Sequence, residues 1–164
     1  MEPLILLALL QIKHCYADFV LQTYIQTVKK GVWLDPIGVS HSLEHMISTL
    51  VVLFVASYFI ELSPILVVII AIIEMIVHYL IDYSKVKYGC KDQTNPIFWT
   101  QFGLDQLLHQ LTYLVMVYIL IWQKSAAIMT ATKVVLALTD AQPTSLKCYS
   151  NTTLLFPVFR NYFW

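Results

Sequence analysis

The strongest constraint in this sequence is a spacing. Four apolar stretches, each near the roughly 20 residues a helix needs to cross a bilayer, carry polar side chains four residues apart. They run from Leu4 to Val28, Val39 to Ile60, Pro64 to Tyr83 and Ile97 to Trp122. The first holds His14 and Asp18, continued by Gln22 and Gln26. The second holds His41 and His45 with Glu44 between them, the third Glu74, His78 and Asp82, the fourth Gln101, Asp105 and His109. A spacing of four stacks side chains on one helix face. Each stretch is therefore expected to be a helix that is apolar all round except for one polar stripe. All five histidines find another histidine or a carboxylate at that spacing. Chance gives this on the order of once in several thousand sequences of such composition.

Composition agrees. Apolar residues make up 59% of the 164 residues and charged ones 12%, against about 25% charged in ordinary soluble domains. A soluble domain of this size leaves too much surface in water to hide that much apolar area. The expected fold is all-α, a polytopic membrane protein whose four transmembrane helices bundle around a polar His/Asp core. A disordered chain and a fibrous protein are excluded. Net charge is zero, so no basic field recruits nucleic acid. Cys15, Cys90 and Cys148 are odd in number and far apart, which indicates no disulfide framework. Met1-Glu2-Pro3 lacks the positive start of a cleavable leader, so the first stretch reads as a helix that stays in the membrane.

The connections carry the orientation. Lys29 and Lys30 follow the first stretch, Lys85, Lys87 and Lys91 follow the third, and the short Glu61-Leu62-Ser63 turn has no basic residue. By the positive-inside rule the two lysine loops are cytoplasmic and both termini lie outside. Residues 1–123 form the transmembrane domain on this reading. Residues 124–164 follow as a short amphipathic interfacial helix, Ser125 to Thr139, and an irregular tail.

An acidic side chain at a membrane helix centre costs about 2.5–3.5 kcal/mol on insertion scales. Interhelical polar bonds return only about 0.6 kcal/mol each. A cation held by converging His and Asp offsets the burial directly. Counted at 1.5 Å per residue from the lysine side, Asp18, His45, His78 and Asp105 share one layer, with His14 and His109 above and His41 and Asp82 below. The expected ligands are thus His14, Asp18, His41, His45, His78, Asp82, Asp105 and His109. Imidazole with carboxylate and no nearby thiolate suits zinc first, with manganese or iron as alternatives. Glu74 and Glu44 are candidate general bases, and Lys85 is a secondary candidate for holding a phosphate or lipid headgroup.

Lys13-His14-xxx-Asp18-Phe19-xx-Gln22, His41-xxx-His45, Glu74-xxx-His78-xxx-Asp82 and Asp105-Gln106-xx-His109-Gln110 resemble, in that order, a small uncharacterised integral-membrane family of bacteria and their phages. More distantly the chain is similar to membrane-bound metal-dependent hydrolases. The resemblance spans about residues 11 to 112 and implies a protein of the bacterial inner membrane, of bacterial or phage origin. The function expected is a membrane-embedded metal-dependent hydrolase acting on a phosphoester or lipid-linked substrate. Two other readings stand beside it: an ion- or proton-conducting protein of phage infection or defence, and a structural subunit whose polar core specifies assembly. The bilayer is the expected partner, nucleic acid is not, and a homo-oligomer stays open.

Overall fold

A computed structural model describes residues 3–140. Among these the chain is helical without strands: α1 (Pro3–Tyr16), a π-helical turn (Ala17–Leu21), α2 (Tyr24–Lys29), α3 (Pro36–Ser57), α4 (Pro64–Tyr88) and α5 (Pro96–Asp140). Four of the segments, Pro3–Leu21, Pro36–Ser57, Pro64–Tyr88 and Pro96–Thr139, are long and apolar enough to cross a membrane. The expected all-α architecture with four such helices is the one observed.

Local sequence explains the boundaries. Asp35 caps α3 by accepting from the Ile37 N–H at 3.0 Å, and Pro36 occupies the first helical position, where a missing N–H costs nothing. Ser63 and Pro64 repeat the arrangement at the start of α4. At Gly89, after α4, an added Cβ would lie 2.3 Å from the Lys85 carbonyl oxygen, so only glycine fits that ending.

Three expectations about boundaries change. The first stretch is not one straight helix: it widens at Ala17–Leu21 and breaks at Gln22 and Thr23, both extended. The break is stabilised by a capping box, in which Thr23 Oγ1 accepts from the Gln26 N–H at 3.3 Å and Gln26 Oε1 accepts from the Thr23 N–H at 2.7 Å. The third stretch continues past Tyr83 to Tyr88, so Ser84 to Lys87 belong to a helix. The fourth does not stop at Trp122, because Gln123-Lys124-Ser125-Ala126-Ala127 holds no Gly or Pro to end it. The irregular tail expected after Asp140, with Cys148, lies outside the described residues.

Two units divide the chain between Ala127 and Ile128. In the second, residues 128–140 are helical and expose Ile128, Met129, Val134, Val135, Leu136 and Leu138. The first holds the bundle, which is two-toned along its length. Toward the Glu61 turn, Leu6, Leu10, Leu53, Ala56, Ile70, Met116 and Leu120 pack into an apolar core. Toward the opposite end, the buried positions of the same four helices are Lys13 and His14, His41 and His45, Glu74, His78 and Asp82, and Asp105 and His109. Outward the helices expose leucine, isoleucine, valine and phenylalanine, the surface a bilayer covers.

Candidate metal centre

The polar half is built from the stripes. In α3, His41 and His45 are one turn apart and both fully buried, so their rings lie 4.7 Å apart and point at the first segment. Asp18, from the π-helical turn, meets them: its Oδ1 lies 3.0 Å from Nε2 of His41 and 3.0 Å from Nε2 of His45. His78 of α4 stacks on His45 with ring centroids 3.7 Å apart. Asp18, His41, His45 and His78 each offer one ligand atom, all within 4.8 Å of one another. Two further groups satisfy the same test: His14, His78 and His109, and Asp82, Asp105 and His109. His78 belongs to the first two and His109 to the last two, so the three form one connected cluster.

Charge separates the groups. Lys13 pairs with Glu74 at 2.6 Å, Lys30 with Asp82 at 2.8 Å and Lys85 with Asp105 at 2.9 Å. Each of these carboxylates has its own ammonium. Asp18, whose side chain is 9% exposed, has only the histidines within 4.0 Å among the described residues. A nearly buried carboxylate faced at this range by imidazoles and by no ammonium is a place where a bound cation would offset the burial. The group around Asp18 therefore suits a cation better than the lysine-neutralised pair of Asp82 and Asp105.

Buried atoms without hydrogen-bond partners fit this chemistry. Both ring nitrogens of His78 are such atoms in the Asp18 group, and Nε2 of His14, Nε2 of His109, Oδ2 of Asp82 and Oδ1 of Asp105 are such atoms in the two groups joined to it. Nε2 of His78 lies 3.1 Å from Asp82 and that of His14 3.3 Å from Asp18, close but without hydrogen-bond geometry. Orphaned buried polar atoms are rare in folded proteins. Converging lone pairs on imidazoles are what a transition metal takes.

The base candidates sit around this cluster. Glu44 accepts from the Gln26 amide at 2.8 Å and lies 3.8 Å from Nδ1 of His41, with its side chain 37% exposed. Glu74, 1% exposed, is held by Lys13 and by the Tyr113 hydroxyl, which donates to it at 3.0 Å, and lies 4.0 Å from Nδ1 of His45. Both carboxylates lie near the ring edges opposite Asp18, but the hydrogen-bond partners there are the Gln22 amide, 3.3 Å from Nδ1 of His41, and the Lys13 ammonium, 3.4 Å from Nδ1 of His45. Lys85, 27% exposed, sits at the rim on Asp105. Asp105 lies with His109 and Lys85 and is in a different group from Asp18, although depth alone puts them in one layer.

Sequence reasoning missed three members. Lys13 and Lys30 are buried partners of the site's acids, and Tyr113 links His14, 3.1 Å from its hydroxyl, to Glu74. Tyr113 continues the spacing of Asp105 and His109 by one more turn, which was a readable signal. Lys13 inside an apolar stretch was another. Lys30 beside Lys29 had none, because a loop lysine pair reads as topogenic. The loop acids behave locally: Asp35 caps α3 and pairs with Lys29 at 3.3 Å. Thr94 donates to Asp92 from its hydroxyl at 2.7 Å and its backbone at 2.9 Å, holding that carboxyl below the ordinary carboxylate range.

A family described as "Protein of unknown function (DUF3307)" matches residues 5–139, and the chain belongs to it. No curated protein and no solved structure matches the chain.

Proposed function

We propose that this member of an uncharacterised membrane family is a metal-dependent hydrolase with its centre inside the bilayer, acting on a phosphoester or lipid-linked substrate. One observation carries the reading: a nearly buried carboxylate, Asp18, whose Oδ1 lies 3.0 Å from Nε2 of both His41 and His45 and which has no ammonium within 4.0 Å among the described residues. Asp18, His41, His45 and His78 would hold the ion, zinc in the first instance. Four donors close a tetrahedral ion and leave positions open on a five- or six-coordinate one. Bound there, a divalent transition metal supplies Lewis acidity and acidifies water.

The chain's other residues have distinct parts. Gln22 and Lys13 orient the rings of His41 and His45 from their Nδ1 edges, and Glu44 and Glu74 stand just behind at 3.8 and 4.0 Å. Of the two candidate bases Glu44 is the freer, since Glu74 is locked by Lys13 and Tyr113 while Glu44 is partly exposed and has no ammonium within 4.0 Å among the described residues. Lys30 and Lys85 bring positive charge to the same end, where a phosphate would be held. Orientation then rests on Lys29, Lys87 and Lys91, which put this end at the cytoplasmic face of a bacterial inner membrane with both termini outside.

A second reading, a polar network that only specifies packing, is favoured by the three lysine–carboxylate pairs. It accounts for Asp18 through the imidazole hydrogen bonds at 3.0 Å but leaves both ring nitrogens of His78 without partners. Conduction finds less support, since Leu6, Leu10, Leu53, Ile70, Met116 and Leu120 pack the other half. The test is turnover. Protein purified in detergent and loaded with zinc or manganese should hydrolyse p-nitrophenyl phosphate, its diester or a lipid phosphate, and His41→Ala should not. Metal-loaded protein that turns over none of them contradicts the hydrolase.

A further inference from the structure

Between α4 and α5 the bundle is not closed. One cavity of about 400 Å³ is lined from both helices by Leu80, Lys85, Gln101, Leu104 and Asp105 among others. A second, of about 410 Å³, continues along the same two helices past Val77, Leu111 and Val115. Ile81 and Leu108 line both, so the two form one seam, each part within the 300–1,000 Å³ usual for ligand clefts. From Ile70 to Tyr88 the seam follows α4 for roughly 27 Å at 1.5 Å per residue, close to the thickness of a bilayer's hydrocarbon region. It opens sideways, toward lipid: Leu104 is 54% exposed and Val115 57%.

The seam is apolar over most of its length: Glu74 lines its second part but is buried and paired with Lys13 at 2.6 Å, and the partly exposed charge lies at one end. There Lys85 lies 2.9 Å from Asp105 and 4.6 Å from the Phe102 ring centre. Asp105 in turn belongs to the group with Asp82 and His109. Lys85 gives one N–H to Asp105 and keeps its other donors at the mouth of the seam. A long apolar channel ending in a partly exposed ammonium is complementary to one kind of occupant, an anionic head on a hydrocarbon chain.

We infer that the seam admits a phosphate-bearing lipid from the bilayer, its chain lying between α4 and α5 and its phosphate on Lys85. The inference rests on the hydrolase reading for what happens to that lipid, while its binding stands on the seam and Lys85 alone. Access is lateral, from within the membrane, and a free phosphate in water lacks the apolar part of the contact.

Lipid retention measured by native mass spectrometry tests this, on detergent-purified, metal-loaded protein taken from vesicles of phosphatidylcholine with a minor share of phosphatidic acid. The wild-type chain should keep phosphatidic acid in preference to phosphatidylcholine, and millimolar inorganic phosphate should not displace it. Lys85→Gln should lower that preference roughly tenfold or more, the effect of losing one charge-assisted hydrogen bond. Leu104→Trp, at an exposed position that tolerates bulk, should fill the seam and remove the lipid while metal content stays unchanged. Equal retention of both lipids, displacement by free phosphate, or an indifferent Leu104→Trp overturns the inference. So does a dimer that Leu104→Trp dissociates, since a second copy would then occupy the seam. Loss of metal with lipid retention intact would instead count against the hydrolase reading alone.

Discussion

Lys13 and Glu74 meet at 2.6 Å with side chains 6% and 1% exposed. Removing one partner of such a pair strands the other charge, which costs about 3–5 kcal/mol. Lys13→Met and Glu74→Gln should each lower the thermal unfolding temperature in detergent sharply. The double variant should lose much less than the sum, because the residues share one interaction; additive losses would mean that they act separately. Around the histidines the expected ranking is different. Asp18→Asn should abolish metal binding, whereas Glu44→Gln, at the outer edge of His41, should weaken it about tenfold, as outer-shell changes do. Competition against a chelating dye measures both. The histidines and aspartates were legible because spacing alone puts them on inward stripes. Lys30 was not, because what makes it a core residue is a 2.8 Å contact with Asp82 across 52 residues of chain, and no local pattern encodes that.

At the level of elements, the close approach that brings Lys30 to Asp82 depends on Gly38. An added Cβ there would lie 2.8 Å from the Lys29 carbonyl oxygen and 3.2 Å from the Lys30 Cα. Gly38→Ala should therefore push the end of α2 off α3, costing about 1–3 kcal/mol and loosening the Lys30–Asp82 pair. Gly103 is the control. Nothing lies within 4 Å of a Cβ there, inside α5, so Gly103→Ala should stabilise by about 0.5–1 kcal/mol. Thermal melts of both in the same detergent compare them directly, and equal effects would contradict the packing described. Helix starts at Asp35 and Ser63 were readable from cap-plus-proline sequences. The break at Gln22–Thr23 was signalled only by Thr23 and Gln26 three residues apart, a faint cue inside an apolar run. Helix continuation through Ser84 and through Gln123 was hidden because polar residues mimic a loop when nothing but hydropathy is read.

For the molecule as a whole, the apolar and polar halves define a direction across the bilayer. Single cysteines placed at Val32 and at Gln93, in a chain freed of its native cysteines, should react with membrane-impermeant maleimide only from the cytoplasmic side. A cysteine at Leu62 should react only from the other side. The reverse pattern would turn the site outward and change the pool of lipids it meets. The central claim is narrower: the Asp18 group binds a transition metal and the lysine-paired acids do not. Elemental analysis of protein purified without chelator tests it most directly. The account predicts about one transition-metal ion per chain, retained in Asp105→Asn and lost in His41→Ala and His45→Ala, with removal by chelator lowering the melting temperature of the wild type and of Asp105→Asn but not of the histidine variants. A wild-type chain purified free of metal, or one whose metal is kept without His41 and His45, would contradict it.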